Sequence, residues 1–458
     1  MNQGFFETIY AVASGHGVAG VAVIRIAGNK STNALKLLIN SDLPEPRMAK
    51  LCRLFHPQSK AHLDDALVLR FKAPASFTGE DVVELHIHGG LAVTESVLEA
   101  LAGVDGLRPA MAGEFTRRAF ENGKLDLTQV EGLADLIHAQ TKAQHRQALR
   151  QAEGALGKLY DNWRQRLIEA LAYFEAELDF SDEELPEHLL KTVQDKIHEL
   201  QQQISSHLGQ GQFGERLREG VRLAIVGPPN AGKSTLLNAL ALREAAIVSD
   251  MAGTTRDVVE VHLNLGGYPV LIADTAGLRD TTSAIEQEGV RRAQAWAEHA
   301  DLIVALFDGA KDPKTDPIFD AQTVKLLDDR CIVCVNKADQ AAQQTPTNFQ
   351  DIPVLSLSVK NGQGMEALLN QLTVRVANLC KSSGEDPIPT RRRHIEALKR
   401  AEKALVRFLA PDHQATAFNA ELKAEDLRMA ARELGRITGR VDVEELLDVI
   451  FRDFCIGK

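Results

Sequence analysis

Cysteine is scarce in this chain: five among 458 residues, an odd and scattered set. That excludes a disulfide scaffold and points to a reducing compartment, so a cytoplasmic location is expected. Long apolar runs are missing too, and no stretch of about eighteen residues is apolar enough to span a bilayer. The opening residues, MNQGFFETIYAVASGHG, lack a basic region ahead of an apolar core, so no secretory signal is expected. There are no internal repeats and no low-complexity tracts. An excess of positive charge is also absent: the net charge of −11 argues against broad coating of nucleic acid, though not against a local basic patch. What is present, 44% hydrophobic and 25% charged residues, is the composition of a soluble globular protein. Its length allows about three domains.

The chain is organised around GPPNAGKS, Gly227–Ser234. This stretch follows the apolar run Val221–Val226 and leads into a helix-forming sequence, Thr235–Leu242. Strand, glycine loop and helix are the context in which such a motif binds phosphate. Its glycines let the backbone around Asn230, Ala231, Gly232 and Thr235 turn N–H groups onto phosphate oxygens, and the helix adds the positive end of its dipole. Lys233 would place its ammonium on the outer phosphates, and Ser234 its hydroxyl on magnesium. A second buried-type strand, Tyr268–Asp274, ends in Asp274-Thr275-Ala276-Gly277. The aspartate there can hold magnesium through water, and the Gly277 N–H can sense the last phosphate. A third strand, Cys331–Val335, runs into Asn336-Lys337-Ala338-Asp339, whose final carboxylate can accept the ring N–H and exocyclic amine of guanine. Three motifs in this order, each at a strand end, define a GTPase domain. Cys331 and Cys334 lie inside that third strand with no second pair nearby, and read as buried strand residues.

One expected part is missing. Ras-like GTPases carry a water-orienting glutamine directly after the second motif, where this chain has Leu278. Nor is any residue an obvious internal arginine finger. A threonine of Gly253-Thr254-Thr255-Arg256-Asp257 can complete the magnesium shell. Asn230 has two readings: it stabilises the loop, or its side-chain oxygen holds a monovalent cation, potassium, in place of an arginine.

Around the GTPase segment the pattern changes. Before residue 120 or so, strands (Gly20–Ile26, Ala66–Phe71, Val82–Ile87) mix with a helix, Thr94–Leu101. His86 and His88 share a strand face, but without a third ligand they read as structural. Arg25 and Glu84 are charges in apolar strands, and form either an ion pair or a ligand site. From about residue 125 the spacing is helical: Leu149, Leu156, Leu159, Trp163, Leu167, Leu171, Phe174 and Leu178 form one stripe, broken at Phe180–Pro186. Val193, Ile197, Leu200, Ile204 and Leu208 form the next, which predicts two antiparallel helices. Helical periodicity resumes after a polar linker, Lys381–Pro389. The domains are therefore expected at 1–122 (α+β), 123–215 (helical), 216–380 (an inserted Ras-like GTPase with a mostly parallel sheet) and 381–458 (the rest of the helical bundle). Arg391-Arg392-Arg393-His394 oppose the dipole of the helix they begin. They read equally as a solvated basic turn or as phosphate contacts, possible ligands including RNA.

GPPNAGKS, GTTRD, DTAGLRD, NKAD, the flanking helices and the terminal Cys455-Ile456-Gly457-Lys458 together resemble the MnmE (TrmE) family of bacterial tRNA-modification GTPases. SFTGEDVVELHIHGG and GEFTRRAFENGKLDL extend the resemblance through the first domain. It implies a homodimer joined by the N-terminal domain, with GTPase domains that associate around potassium. It implies GTP and magnesium, a one-carbon tetrahydrofolate (formyl or methylene) on the N-terminal domain, and an FAD-carrying, MnmG-like partner in a heterotetramer or larger complex. The product would be an aminomethyl or carboxymethylaminomethyl group on the wobble uridine of certain tRNAs, with no membrane involved. By motif, Asn230, Ser249, Met251 and Thr254 would surround potassium, and Ser234 and Thr255 would hold magnesium. Glu286 would orient water, Cys455 would be the active thiol, and Arg25, Glu84, Lys124 and Lys458 would contact folate. The chain departs from the family pattern at Ser249, where threonine is expected, at Pro228, and in the last guanine motif, Ser358-Val359-Lys360. The competing functions are a ribosome-assembly or RNA-chaperone GTPase switch, which needs neither the folate-type domain nor CIGK, and a folate-binding module regulated by GTP.

Overall fold

The computed structural model describes residues 7–15, 17–179, 188–243, 259–274, 296–311, 318–341, 345–381, 387–411 and 417–441, with positions 447, 450, 451, 454 and 457. In chain order the first elements are β1 (Thr8–Val12), β2 (Ala19–Ala27), α1 (Ser31–Leu38), β3 (Lys50–Phe55), β4 (His62–Phe71), β5 (Val82–Gly89), α2 (Leu91–Ala102), β6 (Leu107–Pro109) and α3 (Glu114–Glu121). Helices α4 (Leu127–His138), α5 (Lys142–Ala152), α6 (Ala155–Asp179), α7 (His188–Gly209) and α8 (Gly211–Glu219) follow. Then come β7 (Val221–Val226), α9 (Lys233–Arg243), β8 (Val259–Leu265), β9 (Tyr268–Asp274), β10 (Leu302–Asp308), α10 (Ala321–Val324), β11 (Cys331–Asn336), β12 (Asn348–Phe349), β13 (Ile352–Ser356), α11 (Met365–Cys380), α12 (Arg392–Leu409) and α13 (Ala417–Thr438).

Two compact units result. The first comprises Met1–Ala134, Gln151–Gln165 and Ala431–Lys458. Its six-stranded sheet has the order β3-β4-β5-β2-β1-β6, antiparallel except for the β1–β6 pair. Alternation along β2 sends Ile24 and Ile26 to one face, where they pack with Leu85, Ile87, Leu35, Leu38 and Leu101 under α1 and α2. The same alternation turns Arg25 to the opposite face, directly across from Glu84 in the register. Elsewhere in this unit Leu127, Val130 and Ala134 of α4 cluster with Leu447, Phe451 and Phe454.

The second unit comprises Asp135–Arg150 and Arg166–Ala430. Its seven-stranded sheet runs β12-β13-β11-β10-β7-β9-β8, parallel through the centre, with antiparallel pairs β8–β9 and β12–β13 at the edges. β10 and β11 are buried at every residue, as expected of strands covered on both faces. Leu236, Leu240, Leu368 and Leu372 cover one side, and Ala297, Ala300 and Ile303 belong to the core on the other. Cys331 and Cys334 are buried in β11, and burial pushes both thiols up, Cys334 to about 12, so neither is a ready thiolate. In the helical part Arg166 bonds Gln203 (2.8 Å), while Lys196 lies over the Tyr173 ring. Position rises along α6 as it falls along α7, so the two helices are antiparallel as expected.

One reading needs correction. The stripe from Leu149 to Leu178 belongs to two helices, not one. Gly154, at φ +83°, separates α5 from α6, and Leu149 is exposed. The apolar period happens to continue across the break, so spacing alone does not register it. The break in Phe180–Pro186 lies outside the described residues.

The GTPase segment is rooted among helices by a small set of polar ties. Asp135 of α4 accepts from Arg218, at the end of α8, and from Arg391, the residue before α12 (3.3 and 2.8 Å). Gln144 donates to the Arg218 carbonyl, and the Ala143 N–H bonds the Gly267 carbonyl in the β8–β9 turn. Arg391 is thus committed to a carboxylate, and Arg392 pairs with Glu396. His394, which follows it, is buried.

Candidate functional site

The loop after β7 has the backbone that phosphate binding demands. Gly227 (φ +154°) lies so close to the Leu306 carbonyl that a Cβ would collide with it, and Gly232 (φ +98°) is pressed against the Asn336 amide. Asn230 is left-handed at φ +61°, a conformation that asparagine tolerates better than most side chains, and it is exposed. That geometry favours its loop role and leaves its side chain at the loop surface. Lys233 opens α9 and folds back over the loop, donating to the carbonyls of Gly227 (2.9 Å) and Pro228 (3.0 Å). Burial lowers the pKa of this ammonium. Both partners are neutral carbonyls, so a half-buried cation sits where an anionic ligand would stabilise it. Ser234 and Thr235 are exposed on the first turn of α9, within reach of a metal or phosphate at the loop.

The guanine-type motif is bonded to this loop. Asn336, 4% exposed at the end of β11, donates to the Ala231 carbonyl (2.8 Å) and accepts from the Val359 N–H (3.1 Å). One amide therefore ties the phosphate loop to the Ser358-Val359-Lys360 segment. Ser358 donates to Asp339 (2.6 Å) and holds its carboxyl below the usual range, ready to accept hydrogen bonds as an anion. Lys337, at φ +63°, pairs with the buried Asp308 at the end of β10 (2.6 Å). Asp308 belongs to none of the three nucleotide motifs; its place at the end of an apolar strand is the one signal it gives in the sequence. Asp274 ends β9, next to β7 in the sheet. Ser249, Met251, Thr254, Thr255, Thr275, Ala276, Gly277 and Glu286 lie outside the described residues.

In the first unit, Arg25 Nε donates to Glu84 (3.0 Å), and its guanidinium faces the rings of Phe77 (5.4 Å) and Phe115 (5.7 Å). Both members of the pair are partly exposed. His86 Nε2 lies 3.6 Å from the far Glu84 oxygen and is buried with no hydrogen-bond partner among the described residues. His88 instead bonds Asp64 (2.7 Å). Lys124 lies beside Gly79, in the segment that carries Phe77. A buried ionic network backs this segment: Arg118, 3% exposed, reaches Glu80 and Glu114, and Arg108 also holds Glu114. Burial disfavours the Glu114 anion, but the bonds from Arg108 and Met111 outweigh it and lower its pKa. Sequence reasoning missed this network, because Glu80 and Arg118 lie 38 positions apart. Cys455 and Lys458 are outside the described residues; Gly457 between them packs on the Val12 carbonyl at the end of β1.

A phosphate loop at the end of a parallel strand, bonded to an Asn-Lys-x-Asp corner and rooted in helices, defines a P-loop GTPase carried by a helical domain. Residues 127–455 match the MnmE helical domain, and residues 8–124 match the N-terminus of the GTP-binding protein TrmE. The tRNA modification GTPase MnmE of Parvibaculum lavamentivorans is 55% identical over 452 residues, covering 99% of this chain and 100% of that protein. The protein of the same name from Paramagnetospirillum magneticum is 53% identical over the same coverage. The mitochondrial 5-taurinomethyluridine-[tRNA] synthase subunit GTPB3 of Danio rerio is 49% identical over 474 residues, covering 99% of this chain and 93% of that one. The chain belongs to the MnmE (TrmE) family of tRNA modification GTPases: it hydrolyses GTP, with magnesium, in the service of tRNA modification. No helix among the described residues is long and apolar enough to cross a membrane.

Proposed function

We propose that the chain is a potassium-activated GTPase that works as a homodimer with an FAD-carrying, MnmG-like partner. Together they would add an aminomethyl or carboxymethylaminomethyl group to a wobble uridine of tRNA, using a one-carbon tetrahydrofolate. The observation that carries this reading is the Arg25–Glu84 pair beside an unpartnered, buried imidazole nitrogen, on a sheet face of a domain separate from the GTPase. A nucleotide switch alone has no need of it. A pterin ring offers adjacent donors and acceptors, which suit Glu84, Arg25 and His86, with Phe77 and Phe115 flanking the guanidinium. Lys124 and Lys458 supply positive charge for the glutamate tail of a folate. A partner is supported by the name of the zebrafish relative, a synthase subunit.

Within the GTPase, Lys233 holds the outer phosphates, Ser234 and Thr255 hold magnesium, and Asn230, Ser249, Met251 and Thr254 hold potassium. Asp274 with Thr275, Ala276 and Gly277 reads the last phosphate. Asn336, Lys337, Asp339, Ser358, Val359 and Lys360 select guanine. Glu286 orients the attacking water, and Cys455 is the reactive thiol of the modification step.

The test is a nucleoside profile of tRNA from cells lacking this protein, complemented by wild type or by Cys455→Ser. Loss of aminomethyl-type wobble uridines, restored by wild type and not by the variant, supports the whole reading. An unchanged profile moves the function to a ribosome-assembly or RNA-chaperone switch.

A further inference from the structure

Helix α12 differs in charge from the helices beside it. It carries six basic residues, Arg392, Arg393, Lys399, Arg400, Lys403 and Arg407, against two acidic ones, Glu396 and Glu402. Its neighbour α7 has two of each sign and α13 has four of each, in a chain whose net charge is −11. The buried face of α12, with Ala397, Leu398, Ala401, Leu405 and Phe408, is fixed by packing. That leaves Arg392, Lys399, Arg400, Lys403 and Arg407 exposed. At its two ends the excess is answered within the chain: Arg392 pairs with Glu396 (2.8 Å) and Arg407 with Asp426 (2.6 Å). In the middle, Lys399 and Lys403 stand one turn apart, about 6 Å along the axis. Among the described residues no hydrogen bond or ion pair reaches either of them. Arg428 on α13 shows the contrary case, a single guanidinium held by Glu175, Glu421 and Glu425.

Helix stability does not account for this distribution, because a cationic first turn opposes the macrodipole and like charges one turn apart repel. We propose that the exposed ridge of α12, centred on Lys399 and Lys403, binds the phosphate backbone of tRNA. The family acts on tRNA, a polyanion that an acidic protein must attract through a local patch. Ammonium groups on long, mobile stems make point contacts to phosphate that position a nucleic acid without reading its sequence. On this ridge such groups are exposed and uncommitted among the described residues.

The proposal is tested on the full-length chain with fluorescently labelled tRNA, by anisotropy from about 50 to 200 mM salt. The Lys399→Gln/Lys403→Gln variant is expected to bind roughly ten- to hundredfold more weakly, most so at low salt. It should also lose roughly 2 from the slope of log affinity against log salt. Lys399→Arg/Lys403→Arg should keep affinity and slope, and GTP hydrolysis without tRNA should be unchanged in both variants. The proposal is overturned if the glutamine variant retains the wild-type slope, if the arginine variant weakens as much, or if wild type binds no tRNA. It is overturned equally if the glutamine variant still binds tRNA but loses a protein partner, which would assign the ridge to an acidic protein surface.

Discussion

Both ends of the Asn336 amide are engaged, one on the phosphate loop and one on the segment that follows β13. Removing it in Asn336→Ala strands a buried carbonyl and a buried N–H, each worth about 1–3 kcal/mol. GDP affinity measured by calorimetry should fall at least about tenfold. Asp308 acts one step further away, through Lys337. If its role is to hold that lysine for the nucleotide, Asp308→Asn should raise the KM for GTP about tenfold and leave kcat nearly unchanged. In a Lys337→Ala background the same change should then have little further effect. Additive losses in the double variant would show that Asp308 serves the fold and not the site. The motif residues could be read from sequence because their chemistry is local: a lysine after glycine, an aspartate after Asn-Lys-Ala. Asp308 was harder to read, because its partner lies 29 positions away and its one local mark, closing an apolar strand, does not say what it binds.

Strands were the legible elements. β2, β4 and β5 extend the expected runs by a residue or more, because their buried and exposed residues alternate with period two. Helix boundaries were less so, as α5 and α6 show. At φ +83° Gly154 occupies a conformation costly for any other L-residue, so Gly154→Ala should lower stability by about 1–2 kcal/mol in chemical denaturation. The α7–α12 seam carries a pH dependence. His207, near the end of α7, is buried, and burial together with the charge of His394 lowers its pKa from 6.5 to about 4. Between those two values the unfolded chain takes up a proton that the folded chain refuses. Stability is therefore full above pH 6.5 and declines as pH falls toward 4, by about 3 kcal/mol. Urea midpoints across that range should show this decline, and His207→Gln should flatten it.

At the scale of the whole chain, the family and the broad fold class were legible because the motifs fall in one order along the sequence. Strand order within the sheets was not, since β7, the first strand of its sheet, ends up between β10 and β9. The proposed potassium site is a whole-molecule property, because in the dimer proposed above two GTPase domains would meet around it. GTP turnover should be several-fold or more faster in potassium than in sodium at equal ionic strength. Equal rates would remove the cation from the mechanism, and Asn230 would keep only the loop role that its left-handed backbone supports.

Asp135 touches the chain both where it enters the GTPase segment, at Arg218, and where it comes back, at Arg391. Two arginines on one carboxylate cannot have distant α-carbons; side-chain reach and the two hydrogen bonds limit the gap to about 18 Å, which five or six extended residues span. The GTPase is thus a cassette with a narrow socket. It can be cut out and the ends rejoined by a short linker, or exchanged for another module whose termini lie side by side.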